Sequence, residues 1–129
     1  MKQFPMSMKG SANRIAGASQ HTPGIEGYVF DGADGSQMAF WECHRDANTA
    51  EHCHAFDEYF LVVEGTYILL LDGTEIQVSA GQEYFIPRGT RISGRVIAGT
   101  RTIHWFAAHR AEREPSEDKP QRTATRDAV

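Results

Sequence analysis

From Tyr28 to Ala108 the chain is a series of short apolar runs, each closed by residues that favour turns. "GYVF" runs into "DGADGS", "MAFWECH" into "RDANTA", and "EYFLVV" into "EG". "TYILLL" and "TEIQV" flank "DG", "EYFI" meets "PRG", "RISGRVI" meets "AGT", and "RTIHWFAA" completes the set. No stretch of useful length repeats with the 3.6-residue period of a helix. Strand-length runs with turns about every 8–12 residues predict an all-β sandwich or barrel. Asp72-Gly73 is the sharpest local signal. A two-residue type I′ turn needs positive φ at both positions, and Asp-Gly supplies it.

The ends read differently. Residues 1–24 are rich in Gly, Ser, Ala and Pro and form an irregular N-terminal arm, with a single helical turn expected at "SANRIAGA". Residues 25–108 make the β-domain. Residues 109–129, "HRAEREPSEDKPQRTATRDAV", offer little to bury and predict a solvated, partly disordered tail.

A length of 129 residues suits one domain with one core. The formal net charge of −4 gives no basic field for phosphates, so a nucleic-acid partner is not expected. No run reaches the roughly 18 apolar residues that cross a bilayer, and the first twenty residues lack the apolar core of a secretory signal. Cytoplasmic residence is the resulting expectation, with Cys43 and Cys53 as free thiols.

The chemistry concentrates in "EHCHAFDEYF", residues 51–60. His52 and His54 are two apart, so on a strand both imidazoles share a face. Glu58 heads the next apolar run and can meet them from a second direction. Two imidazoles and a carboxylate suit Fe(II), Mn or Zn. Cys53 alternates to the other face and is expected as a small buried hydrophobe. His21 and His44 read as surface residues, His109 opens the tail, and Glu42 reads as part of a solvated strand face. Tyr59, Tyr67, Tyr84, Phe85, Trp41 and Trp105 are expected mainly to fill the barrel.

"HCHAFDEYFLVVEG" (His52, His54, Glu58, Gly65) resembles the first motif of the cupin family, H-x-H-x(3)-E-x(6)-G. "GQEYFIPRG" (Gly81, Pro87, Gly89) resembles its second, G-x(5)-P-x-G-x(2)-H-x(3)-N. The chain is most similar to small single-domain bacterial cupins. The resemblance implies a jelly-roll β-barrel, often a homodimer, with one divalent transition metal per chain (Fe, Mn, Zn or Ni). The chain departs from the motifs at Asp46, Val96 and Ile92. Ile92 stands where the family places its last protein ligand, a histidine. His104, on the following strand, is then a candidate ligand beside His52, His54 and Glu58; the competing reading makes it a hydrogen-bonded core residue.

The resemblance implies a metal-dependent enzyme of the dioxygenase, isomerase or decarboxylase class acting on a small organic molecule. The alternative is a non-catalytic module for a small ligand or a metal, and a third reading is a metal-free barrel using these groups in acid–base roles.

Overall fold

The computed structural model describes residues 2–115. Nine strands are found among them: β1 Ile25–Asp31, β2 Gln37–Cys43, β3 Ala47–Cys53, β4 Glu58–Glu64, β5 Thr66–Leu71, β6 Thr74–Ser79, β7 Glu83–Ile86, β8 Arg91–Val96 and β9 Arg101–Phe106. They form a five-stranded sheet, β1-β2-β9-β4-β7, facing a four-stranded sheet, β3-β8-β5-β6, and every pairing is antiparallel. This is the jelly-roll barrel.

Alternation decides what fills it. Phe60 and Val62 of β4, Leu69 of β5, Val78 of β6, Ile86 of β7 and Ile92 of β8 meet as one buried cluster. A second cluster gathers Val29, Ala39, Trp41 and Phe106 with Ile15 and Ala111 from outside the strands. The expected hairpin is present: Leu71 pairs with Thr74, and Asp72 and Gly73 have φ of 49° and 81°.

Three local expectations need correcting. Residues 47–50 are not a turn but the first half of β3. This strand lies at a sheet edge and buries only Thr49, so its polar composition hides it. Glu42 is not solvated: it is 3% exposed and accepts from the Phe4 amide (2.6 Å) and Lys9 Nζ (3.0 Å), because the arm crosses this face. Tyr59, Phe85 and Trp105 form one cross-strand row that points outward rather than into the barrel, and Phe85 is 51% exposed.

The arm is anchored by Phe4, which packs on Tyr28 and Phe40, a burial worth about 2 kcal/mol. It contains three single-turn 3-10 helices, one at Ser11–Asn13 within the stretch expected to turn. Residues 109–115 also dock. Ala111 is fully buried, the Gln37 amide oxygen accepts from the Arg110 and Ala111 amides, and Ile15 bridges to Arg113. The remainder of the expected tail, 116–129, lies outside the described residues.

Gly65 follows β4 at a φ of 85°, where an added Cβ would stand 2.6 Å from the Thr100 Cα. Gly35 has a similar φ, 89°, with open space around it. Gly35→Ala should therefore cost only the left-handed strain, about 1–2 kcal/mol. Gly65→Ala should lose a further 1–3 kcal/mol or so from the clash. Urea unfolding of the two variants measures the difference, and equal losses would mean that Thr100 moves aside.

Candidate metal centre

The site sits at one end of the barrel interior, where β3, β4 and β9 meet the arm. Thr49 pairs with Gly94 while His52 pairs with Ile92, so three steps along β3 oppose two along β8. This bulge inserts one residue and reverses the alternation. Thr49 and His52, an odd number apart, consequently both face inward, while Cys53 points out and is exposed rather than buried. His54 follows directly and lines the same cavity, its ring centroid 4.8 Å from that of His52.

His21, expected on the surface, is the residue that sequence reasoning missed. Its carbonyl accepts from the Ala50 amide (2.8 Å), and Thr22 Oγ1 lies 2.8 Å from Thr49 Oγ1. Gln20 Oε1 accepts from Trp41 Nε1 at 2.9 Å. These bonds pin residues 20–22 across the barrel mouth and stack the His21 ring on His52, centroids 3.9 Å apart and planes within 10°. One nitrogen from each of His21, His52 and His54 lies within 4.8 Å of the others. Nothing in the irregular arm sequence signalled this.

The tautomers favour coordination. His52 Nδ1–H donates to the Ala50 carbonyl (2.8 Å), leaving the Nε2 lone pair free. Burial, assisted by the neighbouring His52, pulls both His21 and His54 down to about 4, with Glu58 opposing. Burial also lowers His52. At neutral pH the three imidazoles are uncharged donors.

Glu58 heads β4 at 5% exposure, with Oε1 3.7 Å from His54 Nε2. Its Oε2 accepts from His104 Nδ1–H at 2.7 Å. Burial raises the Glu58 carboxyl, but this hydrogen bond, with the His104 and His54 rings and the Arg110 guanidinium nearby, prevails and holds it below its ordinary value. Oε1 is buried with no hydrogen-bond partner. A buried carboxylate oxygen left bare costs free energy unless something cationic meets it.

His104 does not join the imidazole cluster. With Nδ1–H on Glu58, its Nε2 accepts from the Thr102 hydroxyl (2.9 Å), so neither ring nitrogen is free. These hydrogen bonds are those of the core reading, and the one to Glu58 fixes the rotation of that carboxylate. Ile92 is buried and faces the cavity beside His52.

Three neutral imidazoles around an unpartnered carboxylate oxygen suit a divalent transition metal. A second acidic group, Glu26, Glu42 and His44 on the outer face, already has Lys9 Nζ 3.0 Å from Glu42. The site cavity measures about 590 Å³ with its open mouth included. Its inner walls are apolar, with Phe60, Leu69, Ile86 and Ile92 among them.

Solved structures share this architecture. The polyketide cyclase RemF from Streptomyces resistomycificus aligns with a TM-score of 0.65 at 22% identity, covering 92% of this chain and 89% of that one. An RmlC-like cupin from Shewanella frigidimarina gives 0.59 at 18% identity, covering 80% and 90%. A salicylate 1,2-dioxygenase from Pseudaminobacter salicylatoxidans gives 0.60 at 15% identity, covering 65% of this chain and 26% of that one. At such identities the likeness is one of fold. Comparison with curated proteins finds no match. The profile of the cupin domain family matches residues 40–107, more than half of the sequence, and the chain belongs to that family.

Proposed function

We propose that the barrel holds one divalent transition metal on His21, His52, His54 and Glu58 and presents it to a small organic molecule in the cavity. The observation that carries this reading is the bare Glu58 Oε1, buried and facing His54 beside two further neutral imidazoles. When bound, such a metal supplies Lewis acidity or an anchor for oxygen. The protein's own part is positional. His104 orients the carboxylate, the Ala50 carbonyl sets the His52 tautomer, and the apolar wall excludes water from one side. A polyketide cyclase and a dioxygenase on the same fold make an enzyme of cyclase, oxygenase or isomerase type the leading reading. A non-catalytic binding module is the alternative. Oxygen uptake by Fe(II)-loaded protein over a panel of small catechols, thiols and keto acids separates them.

We further propose a homodimer, built on the outer face of the five-stranded sheet. Phe30, Met38, Trp105, Tyr59 and Phe85 are successive cross-strand partners, one from each strand. Phe30, Met38 and Phe85 are 41%, 49% and 51% exposed. The arm covers the next row, Tyr28, Phe40 and Ile103, and leaves this one bare. The row is uncharged from end to end, so a second copy related by a two-fold axis can lay the same row against it without opposing like charges. No described helix is long and apolar enough to cross a membrane. Light scattering of wild type should give twice the chain mass. Met38→Glu with Phe85→Glu should give monomers that keep the β-rich circular dichroism spectrum. A monomeric wild type at micromolar concentration refutes the dimer.

For the metal, zinc titration is the direct measurement. His52→Ala with His54→Ala should abolish uptake and preserve the fold. His21→Ala should weaken it by at least tenfold. His104→Ala, which frees the Glu58 carboxylate to turn, should weaken it about 10–100-fold without abolishing it. Ile92→His adds an inward imidazole beside His52 and should tighten binding. Unchanged zinc affinity in the double variant would refute the site.

A further inference from the structure

Arg110, just past β9, lines the same cavity as the imidazoles. Its guanidinium is held flat against two rings, with Cζ 5.2 Å from the centroid of Trp41 and 5.4 Å from that of Phe106. Nη1 donates to the Ser19 carbonyl at 2.7 Å. That is the guanidinium's one hydrogen bond among the described residues, and no described carboxylate lies at ion-pair distance from it. Nε is buried with no partner. A guanidinium so placed has lost much of its hydration and gained no anion in return. Glu58, the only carboxylate among the described residues that line the cavity, spends one oxygen on His104 and directs the other toward His54.

We propose that Arg110 receives the anionic group of the cavity's ligand, which is a compact organic carboxylate. The charge balance depends on the metal reading above. Three neutral imidazoles, one carboxylate, one guanidinium and a divalent ion leave a net charge of about +2 in a water-poor cavity, and a mono- or dianion offsets it. A planar carboxylate matches the planar fork of the guanidinium, whose one hydrogen bond among the described residues goes to Ser19, and two parallel hydrogen bonds can form. The cavity, about 590 Å³ with its open mouth included, is of the size that takes a small organic molecule. The apolar wall of Phe60, Leu69, Ile86 and Ile92 then takes the ligand's hydrocarbon portion. Arg110 and the imidazoles line this one cavity, so the ligand's functional group can reach the cluster while its carboxylate stays on the arginine.

The experiment uses pyruvate, glycolate and malonate as probes, with pyruvamide as the uncharged counterpart of pyruvate. Binding is followed by calorimetry and ligand-observed NMR on the whole chain, zinc-loaded and metal-free. Wild type should bind at least one of the carboxylates and bind pyruvamide at least tenfold more weakly than pyruvate. Arg110→Gln should lose at least tenfold in carboxylate affinity while keeping its zinc stoichiometry. Should Arg110→Gln fail to fold, Arg110→Lys keeps the charge without the two-pronged edge and should still lose severalfold. The proposal is overturned if wild type binds none of the three carboxylates, if pyruvamide binds as well as pyruvate, or if the folded Arg110 variant binds carboxylates as wild type does. Wild type that takes up no zinc refutes the metal reading alone. The metal-free titrations then decide on Arg110 by the same criteria.

Discussion

Burying the Glu58 carboxylate sets the terms for everything around it. At 5% exposure it has given up most of its hydration, a loss that costs several kcal/mol for an ion unless the protein supplies replacements. One oxygen receives the His104 N–H. The other receives nothing from the protein, although Phe60, Val62 and Leu69 make the adjoining interior close-packed and apolar. A barrel built only for stability would carry another Val or Leu at the head of β4. The carboxylate, and the His104–Thr102 pair that holds it, mark the end of the barrel where the candidate site lies.

The two halves of the cavity are produced by register. On the five-stranded sheet, Ala39, His104 and Phe60 are cross-strand neighbours, so the polar residue at the centre of that row is flanked by apolar ones. On the opposite sheet, the single extra residue in β3 turns His52 inward. Without that bulge, strict alternation from Thr49 would aim Glu51 and Cys53 at the cavity and His52 at solvent. A one-residue irregularity on an edge strand thus selects which side chains the cavity receives.

Much of this was legible in the sequence, and for physical reasons. The strand count fell short by the first half of β3, but the barrel, the Asp72-Gly73 hairpin and the approach of Glu58 to the histidine pair all follow from spacing and turn chemistry, which are local. What sequence could not reveal is long-range. His21 reaches the site only because residues 20–22 are tied to β2 and β3, and no periodicity encodes that path. Cys53 does lie on the face opposite the histidines, but it was expected to be buried, and a sheet edge leaves it open. Glu42 and Ala111 were misread alike: each is covered by a chain terminus whose own composition looks solvated. For His104 the sequence left two roles open, and its hydrogen bond goes to a partner 46 residues away that no local pattern names.

The mouth of the barrel is assembled from segments that lie far apart in the sequence. Ser19 and Arg110 are separated by 91 positions, and Asn13 and Arg113 by 100. Closing a loop of that length is entropically costly and comes late, after the local hairpins have paired. In synthesis His21 is made before β3, the strand it meets, and Arg110 only after all nine strands. Loop-closure entropy thus favours pairing within the jelly roll ahead of the contacts that enclose its mouth.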